Sequence, residues 1–294
     1  MKQTGMNATC LRCHFNKNLE TALSLGDEAT AFLFGKELMQ LYLDAPEGVG
    51  SPWFGPDVNA LFQKYYGTDE DRYVQEKIDS NRFVMERFEQ LQQTVAAQPD
   101  PVFAGLQFSI LGNYLDFSAL GKAVSFEKLD EMLKKTLQME LDQACYARLC
   151  RDFKNGKRLL YLTDNAGEIG FDRIFAEEIQ KKYPHLQITF CVRGGPVLND
   201  ATREDAAAVG VPFPIIDSGS CIGGTERRRL GAEAKAAFES ADVIIAKGMG
   251  NNETLYGCGY NVYYAFLVKC KFFEQRFSQP LMTPMLVAEQ DPVF

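Results

Sequence analysis

RLLYLTDNAGEIGFD, residues Arg158 to Asp172, is the stretch that decides the fold. Leu159-Leu160-Tyr161-Leu162 is an apolar run of strand length. It stops at Thr163, and two side chains able to hold a cation follow at once, Asp164 and Asn165. Gly167 permits a tight turn, and an amphipathic helix is expected from about Glu168. A buried strand feeding a polar loop and then a helix is where open α/β sheets bind ligands, in the crevice beyond the strand's carboxyl end. Asp164 and Asn165 also have a purely local reading, because Asp and Asn are favoured caps of a following helix. The stretch alone leaves both readings open.

Toward the C-terminus the same arrangement recurs. Residues 186–192, LQITFCV, read as a second strand and run into RGGPVLNDAT, 193–202. There two glycines let a backbone approach a ligand, Arg193 suits an anion and Asp200 offers a carboxylate. A Gly-Pro turn with Asn199 or Asp200 capping a helix over 201–208 is the local alternative. A third strand-like piece ends at Asp217, and the small-residue loop Ser218–Thr225 carries no Walker pattern. A helix is expected from about Glu226 to Glu239, with Arg227, Arg228 and Arg229 on a solvated face. Val243-Ile244-Ile245-Ala246 is the clearest buried strand; it ends at Lys247 and a glycine-rich segment through Glu253. A lysine at a strand's mouth is placed to meet an anion. Val262 to Val268 is expected as the last strand, and the tail from Gln279, with Pro280, Pro284 and Pro292, shows neither pattern. Alternating strands and helices predict βαβ units and a mostly parallel sheet.

Residues 1–153 read as helical throughout, so a helical N-terminal domain is placed there and a Rossmann-like α/β/α domain over 154–294. Apolar residues between Leu19 and Leu43 recur at helical spacing, and Asp44 to Gly48 breaks the pattern. A loop containing Trp53 follows. Helices are then expected over 57–67, from a cap at Asp69 to about Thr94, from Pro101 to Ile110, and over 125–153. Gly112-Asn113-Tyr114-Leu115-Asp116 reads locally as a helix end. Cys10-Leu11-Arg12-Cys13, with His14 after it, is half of a zinc knuckle; Cys145 and Cys150 are spaced more loosely than a second half requires. Packing cysteines are the alternative. His185 has no visible partner.

The chain has 294 residues, 46% hydrophobic and 24% charged, enough for a large core. A net charge of −8 argues against a general nucleic-acid binder. It leaves room for a phosphorylated metabolite, since a bound cation inverts the local field. The first residues lack the apolar core of a signal peptide, and no apolar run is long enough to span a bilayer. The eight cysteines are scattered. These features predict a cytoplasmic enzyme with a small phosphorylated metabolite as its partner, neither nucleic acid nor membrane, and an oligomeric state left open.

Asp164 with Asn165, then Asp200, then Lys247 stand at three strand ends of one expected crevice. Oxygen ligands alone suit a hard divalent cation, Mg²⁺ or Mn²⁺, with Co²⁺ or Ni²⁺ as alternatives. Asp164, Asn165 and Asp200 are the expected metal ligands, and Asp164, Asn165 and Lys247 the catalytic set. Such a site serves phosphoryl chemistry: the cation polarises a phosphoryl oxygen and a lysine neutralises the leaving ester.

The same residues resemble a known family. DNAGE at 164–168, RGGPVLNDAT at 193–202, the loop at 218–225 and KGMGNNETL at 247–255 are similar to the damage-control phosphatases, also called the acidic-residue-methyltransferase-like family. The CxxC and the Asn113/Asp116 pair resemble its smaller prokaryotic branch. The resemblance covers nearly the whole chain. It implies a metal-dependent phosphatase of sugar phosphates or damaged phosphometabolites, built as a helical region packed on a Rossmann-like domain. It further implies a cation at Asp164, Asn165 and Asp200, and Lys247 at the substrate phosphate. Asn113, Asp116, Glu168, Arg193, Asn199 and Asn251 join Lys247 as expected substrate-side residues, Glu168 with a role in positioning water. Met249 stands where a more polar residue is expected, and the tail is short and proline-interrupted. Two other readings remain: a carboxyl methyltransferase using S-adenosylmethionine, and a non-catalytic binder of a phosphometabolite. The first would want a glycine-rich loop after the first strand, where this chain offers only Gly167 and Gly170.

Overall fold

A computed structural model describes residues 5–67, 73–120 and 124–291, apart from the side chain of Ser118. Asp69, expected as a helix cap, and Pro292 lie outside the described residues. The helices are α1 (Ala8–Leu25), α2 (Glu28–Asp44), α3 (Gly55–Tyr66), α4 (Val74–Met85), α5 (Phe88–Ala96), α6 (Pro101–Gly112), α7 (Phe117–Leu120), α8 (Phe126–Leu133), α9 (Gln143–Asn155), α10 (Glu168–Lys182), α11 (Arg203–Ala208), α12 (Ala232–Ser240), α13 (Gly248–Leu255) and α14 (Lys271–Phe277). The strands are β1 (Arg158–Leu162), β2 (Gln187–Val192), β3 (Ile215–Asp217), β4 (Val243–Lys247), β5 (Val262–Leu267) and β6 (Pro284–Ala288).

The strands form one sheet in the order β3-β2-β1-β4-β5-β6. All neighbours run parallel except β6, which returns antiparallel on β5. The expected α/β architecture with a mostly parallel sheet is the one observed. Strand order reverses between β1 and β4, so the crevice for a ligand opens at their carboxyl ends. β4 and β5 are buried along their whole length because helices cover both faces. The two-residue period divides the core cleanly. Leu159, Tyr161, Val243 and Ile245 face the side that α6 and α10 cover. Leu160, Leu162, Ile244 and Ala246 face the side of α12 to α14. A separate small core, around Phe34, Leu38, Phe54 and Phe62, joins α1, α2 and α3.

Several expected elements differ. The helix expected from Asp69 to Thr94 is two, α4 and α5, divided where Arg87 turns to Asp130 and the Phe83 carbonyl. The one expected over 125–153 is broken between α8 and α9, where the Gln107 amide takes the Leu137 and Met139 carbonyls. The glycine-rich segment after Lys247 forms a helix, Gly248 to Leu255. A further helix, α14, precedes the tail from Gln279, and the tail itself contributes β6, with Pro284 at the first position of an edge strand, where its missing N–H costs nothing. Arg227, Arg228 and Arg229 are not simply solvated: Arg228 and Arg229 stack on Trp53, 4.8 and 3.7 Å from the ring centre, and Arg227 on Tyr260 at 4.8 Å.

Helix α6 is apolar nearly all round and buried along nearly all its length, as a helix between two layers must be. Its glycines set how close it comes to α10. A Cβ at Gly105 would stand 3.0 Å from the Phe175 Cα, and one at Gly112 would stand 2.8 Å from the Phe171 ring. Relief of glycine's backbone entropy favours alanine in a helix. Here the clash decides, and Gly112→Ala should lower stability by about 1–3 kcal/mol. Urea unfolding checks the sign; an unchanged or raised midpoint means that α6 and α10 are not in this contact.

Candidate active site

Both local cap readings fail. The residue capping α10 is Gly167, and neither Asp164 nor Asn165 caps it. The residue capping α11 is Thr202, bound to Asp205. Asp164, Asn165 and Asp200 are therefore buried for another reason. Asn165 and Asp200 pair as an isolated β-bridge, and the Ala201 N–H donates to the Asp164 carbonyl at 2.7 Å. These backbone bonds lock the loop after β1 to the loop after β2. Leu198 adopts φ 48°, a conformation costly for a side chain of its kind, in the same loop.

Arg193 spans the two carboxylates. Its Nε donates to Asp200 Oδ2 at 2.6 Å, Nη2 to Asp164 Oδ1 at 3.4 Å, and Nη1 to the Gly224 carbonyl at 3.0 Å. Burial pushes Asp164 well above the usual carboxylate range, and the charges of Asp200 and Glu168 add to it. Burial likewise pushes Asp200 up to about 6, against the pull of Arg193. Asp164 also packs against Gly248, where any Cβ would overlap its carboxylate. Gly248 has φ 76°, which favours glycine as well.

Around this pair lie the other expected residues. Asn113, at the end of α6, donates from Nδ2 to Asp164 at 3.0 Å and to Glu168 at 2.9 Å, while its Oδ1 accepts from the Leu267 N–H at 3.1 Å. Asn199 donates to Asn165 Oδ1 at 3.0 Å and to the Leu115 carbonyl at 2.8 Å. Asn251 bonds the Thr163 and Lys247 carbonyls and accepts from Thr225. Lys247 does not face the crevice. Its ammonium lies inside the molecule, 2.7 Å from the Ser109 carbonyl, 3.0 Å from Glu168 Oε1 and 3.3 Å from Asp172 Oδ1.

A second lysine was missed by the sequence reading. Lys269, just beyond β5, donates to Asp116 Oδ2 at 2.6 Å and lies near enough to lower the pKa of Asp164. Its position after an apolar strand is the same signal that singled out Lys247. Met249 meets its backbone, with Sδ 3.3 Å from the Lys269 N–H. Asp172 was also missed; it is four residues after Glu168 and so on the same helical face.

The two histidines have packing roles. His14 bonds Tyr42 at 2.7 Å and is held neutral, its pKa lowered to about 4 by burial and by Lys17. His185 packs on Tyr183. Cys10 and Cys13 lie in the first turns of α1, Cys145 and Cys150 on α9. Among the described residues no three His, Cys, Asp or Glu side chains form a group that could hold a metal. A divalent cation at Asp164 and Asp200 thus has two carboxylates and an amide to draw on. That fits Mg²⁺ or Mn²⁺, which keep several waters and bind through one or two carboxylates plus substrate phosphate.

A cavity of about 630 Å³ adjoins the cluster, lined by Arg193, Gly194, Lys77, Thr202, Arg203 and Asp217 among others. A larger one, about 1120 Å³, lies between the α8–α9 connection and β6, away from every residue named above as a ligand or base, so size alone does not locate the site.

The sequence matches the damage-control phosphatase ARMT1-like domain over residues 6–281. The chain belongs to that family. It is 34% identical over 276 residues to an uncharacterized protein of Methanocaldococcus jannaschii, covering 89% of this chain and 88% of that one. It is 34% identical over 189 residues to a damage-control phosphatase of Archaeoglobus fulgidus, 63% of this chain and 64% of the relative. A third, a damage-control phosphatase of Pyrococcus horikoshii, is 37% identical over 152 residues, 51% of this chain and 52% of that one. The fold is that of a crystallised DUF89 family protein from P. horikoshii, with TM-score 0.78 and 24% identity over 97% of this chain and 99% of that one. No helix among the described residues is long and apolar enough to cross a membrane.

Asp164, Asp200 and Asp172, the last also pushed up to about 6 by burial, hold protons in the folded chain that the unfolded chain releases near 3.8. The contribution of Asp172 and Asp200 to stability therefore falls as pH rises from about 4 to about 6 and stays unfavourable above it, and Asp164, raised in the same direction, adds to the fall. Metal-free protein should melt lower at about pH 8 than at about pH 5.5, and Mn²⁺ should narrow the gap. Melting that rises steadily with pH in the metal-free protein contradicts the raised values.

Proposed function

We propose that this protein is a divalent-cation-dependent phosphatase of small phosphate monoesters, sugar phosphates and damaged phosphometabolites among them, working in the cytoplasm. What carries the reading is the joining of Asp164, Asn165 and Asp200, from two strand ends, into one buried oxygen-rich cluster that caps no helix. The names of the A. fulgidus and P. horikoshii relatives support the class of reaction.

In this reading Asp164, Asp200 and the Asn165 amide oxygen hold the cation. When bound, the cation supplies Lewis acidity toward the phosphoryl oxygen and lowers the pKa of a water. The chain does the rest. Arg193, one of the residues lining the 630 Å³ cavity, ties the carboxylate pair together, so the cavity beside it, of a size suited to a small metabolite, is the proposed entry for the ester. Lys269 takes the role expected of Lys247: its ammonium, held by Asp116, neutralises charge on the ester near Asp164. Asp116 keeps that ammonium oriented. Asn199 and Asn113 hold Asn165 and Asp164 still.

The methyl-transfer reading gains no support. The loop after β1 offers a nucleoside cofactor no glycine-rich turn, since Asp164 and Asn165 there are tied to Arg193, Asn113 and Glu168.

Asp164→Asn should lower turnover of p-nitrophenyl phosphate by roughly a hundred- to a thousandfold, with its far-ultraviolet circular dichroism unchanged. EDTA should abolish wild-type turnover and Mn²⁺ restore it. Lys269→Met should raise KM for the ester more than it lowers kcat. Undiminished turnover in EDTA would falsify the cation's part, and a fully active Asp164→Asn the site.

A further inference from the structure

Three charged side chains beneath the crevice, Glu168, Asp172 and Lys247, have no exposed surface. Lys247 is fixed by the Ser109 carbonyl and both carboxylates. Asp172 Oδ1 is itself held by Ser109 Oγ at 2.7 Å and Tyr161 OH at 2.9 Å. The ammonium cannot swing toward a substrate without leaving two buried carboxylates unpaired, which is strongly unfavourable. Its role is therefore to fix Glu168.

Glu168 uses one oxygen for Lys247 and the other for amides. Oε2 accepts from Asn165 Nδ2 at 2.7 Å, from the Asn165 backbone N–H at 3.3 Å and from Asn113 Nδ2 at 2.9 Å. Asn165 Nδ2 also donates to Asp164 Oδ2 at 2.8 Å, so both of its hydrogens are taken on one side. A primary amide has a donor end and an acceptor end, whereas a carboxylate only accepts. Two carboxylates on the donor side force Oδ1 to the opposite side, facing Asn199 Nδ2 at 3.0 Å and the backbone bridge to Asp200.

We propose that Glu168 is a positioning residue: its carboxylate selects which end of the Asn165 amide meets the cation, and Lys247 with Asp172 holds that carboxylate in place. The inference rests on the cation site proposed above. It gives Glu168 no contact with the attacking water and Lys247 none with the phosphate. Partners of this kind, one bond removed from the ion, typically alter metal affinity by roughly ten- to a hundredfold.

The test is calorimetric titration of Mn²⁺ without substrate, into wild type, Glu168→Gln and the double variant Glu168→Gln/Asn165→Asp. The glutamine offers an NH₂ to Asn165 and lets the amide turn over, so Mn²⁺ should bind roughly ten- to a hundredfold more weakly. The double variant should recover to within about threefold of wild type, because an Asp at this position has two like oxygens and no face to choose. Should Glu168→Gln not fold, the charge-matched Glu168→Gln/Lys247→Met replaces it, with the same loss and the same rescue expected. Wild-type affinity in the glutamine variant overturns this inference and leaves the cation site standing. A double variant as weak as the single one also overturns it, since Asn165→Asp restores the lost charge and the loss then comes from the fold; so does wild-type affinity in the charge-matched Glu168→Gln/Lys247→Met, since the loss in the single variant then comes from charge. Absence of Mn²⁺ binding by wild type overturns the cation site and this inference together.

Discussion

The site depends on one buried ammonium. An ion inside a protein is tolerated only when paired and hydrogen-bonded. Lys247 meets that condition with a carbonyl from α6 and two carboxylates from α10, so β4, α6 and α10 must converge on a single point. Convergence requires α6 to lie close along α10, and Gly105 and Gly112 permit it. The close approach in turn delivers Asn113 from the end of α6 to Asp164 and Glu168. A helix from the N-terminal half is thus part of the wall of a site whose acids come from the C-terminal half.

How much of this was legible follows from which forces act locally. β1, β2, β4 and β5 read plainly because each is an apolar run covered on both faces. β6 did not: it is an edge strand that begins with Pro284 and has a single neighbour, so it carries little of that signature. The break between α8 and α9 depends on Gln107, about thirty residues away, whose amide takes two carbonyls. Local spacing cannot register such a partner. α13 carries no helical signature in sequence because glycine disfavours helices. Its glycines answer to neighbours instead: Gly248 makes room for Asp164, and Gly250 lies against the Gly223 carbonyl.

The candidate acids could be found because a polar residue directly after a buried strand has few reasons to be there. The lysine was harder, and the two-residue period explains why. Val243 and Ile245 point toward α6 and α10, so Lys247, still inside β4, must point the same way and meet buried carboxylates. Following the alternation one residue further would have placed it in the interior. Lys269 lies beyond the last paired residue of β5 and is released from the strand to turn toward Asp116. Two lysines with the same local context thus separate according to whether the ladder still holds them.

The balance of buried charge bears on what the cluster can hold. Asp116, Asp164, Glu168, Asp172 and Asp200 are five buried carboxylates, and Arg193, Lys247 and Lys269 are three buried cations. Fully ionised, the group carries an excess of two negative charges in a low-dielectric setting. Burial raises Asp164, Asp172 and Asp200 above their ordinary range, and the neighbouring carboxylates add to it. Protons can relieve the excess, but a proton on Asp164 or Asp200 takes away the negative charge that Arg193 is paired with. A divalent cation relieves it completely and keeps every carboxylate ionised. A phosphate ester arriving alone would deepen the imbalance, so in the proposed function the cation must be in place before the ester's charge can be accommodated.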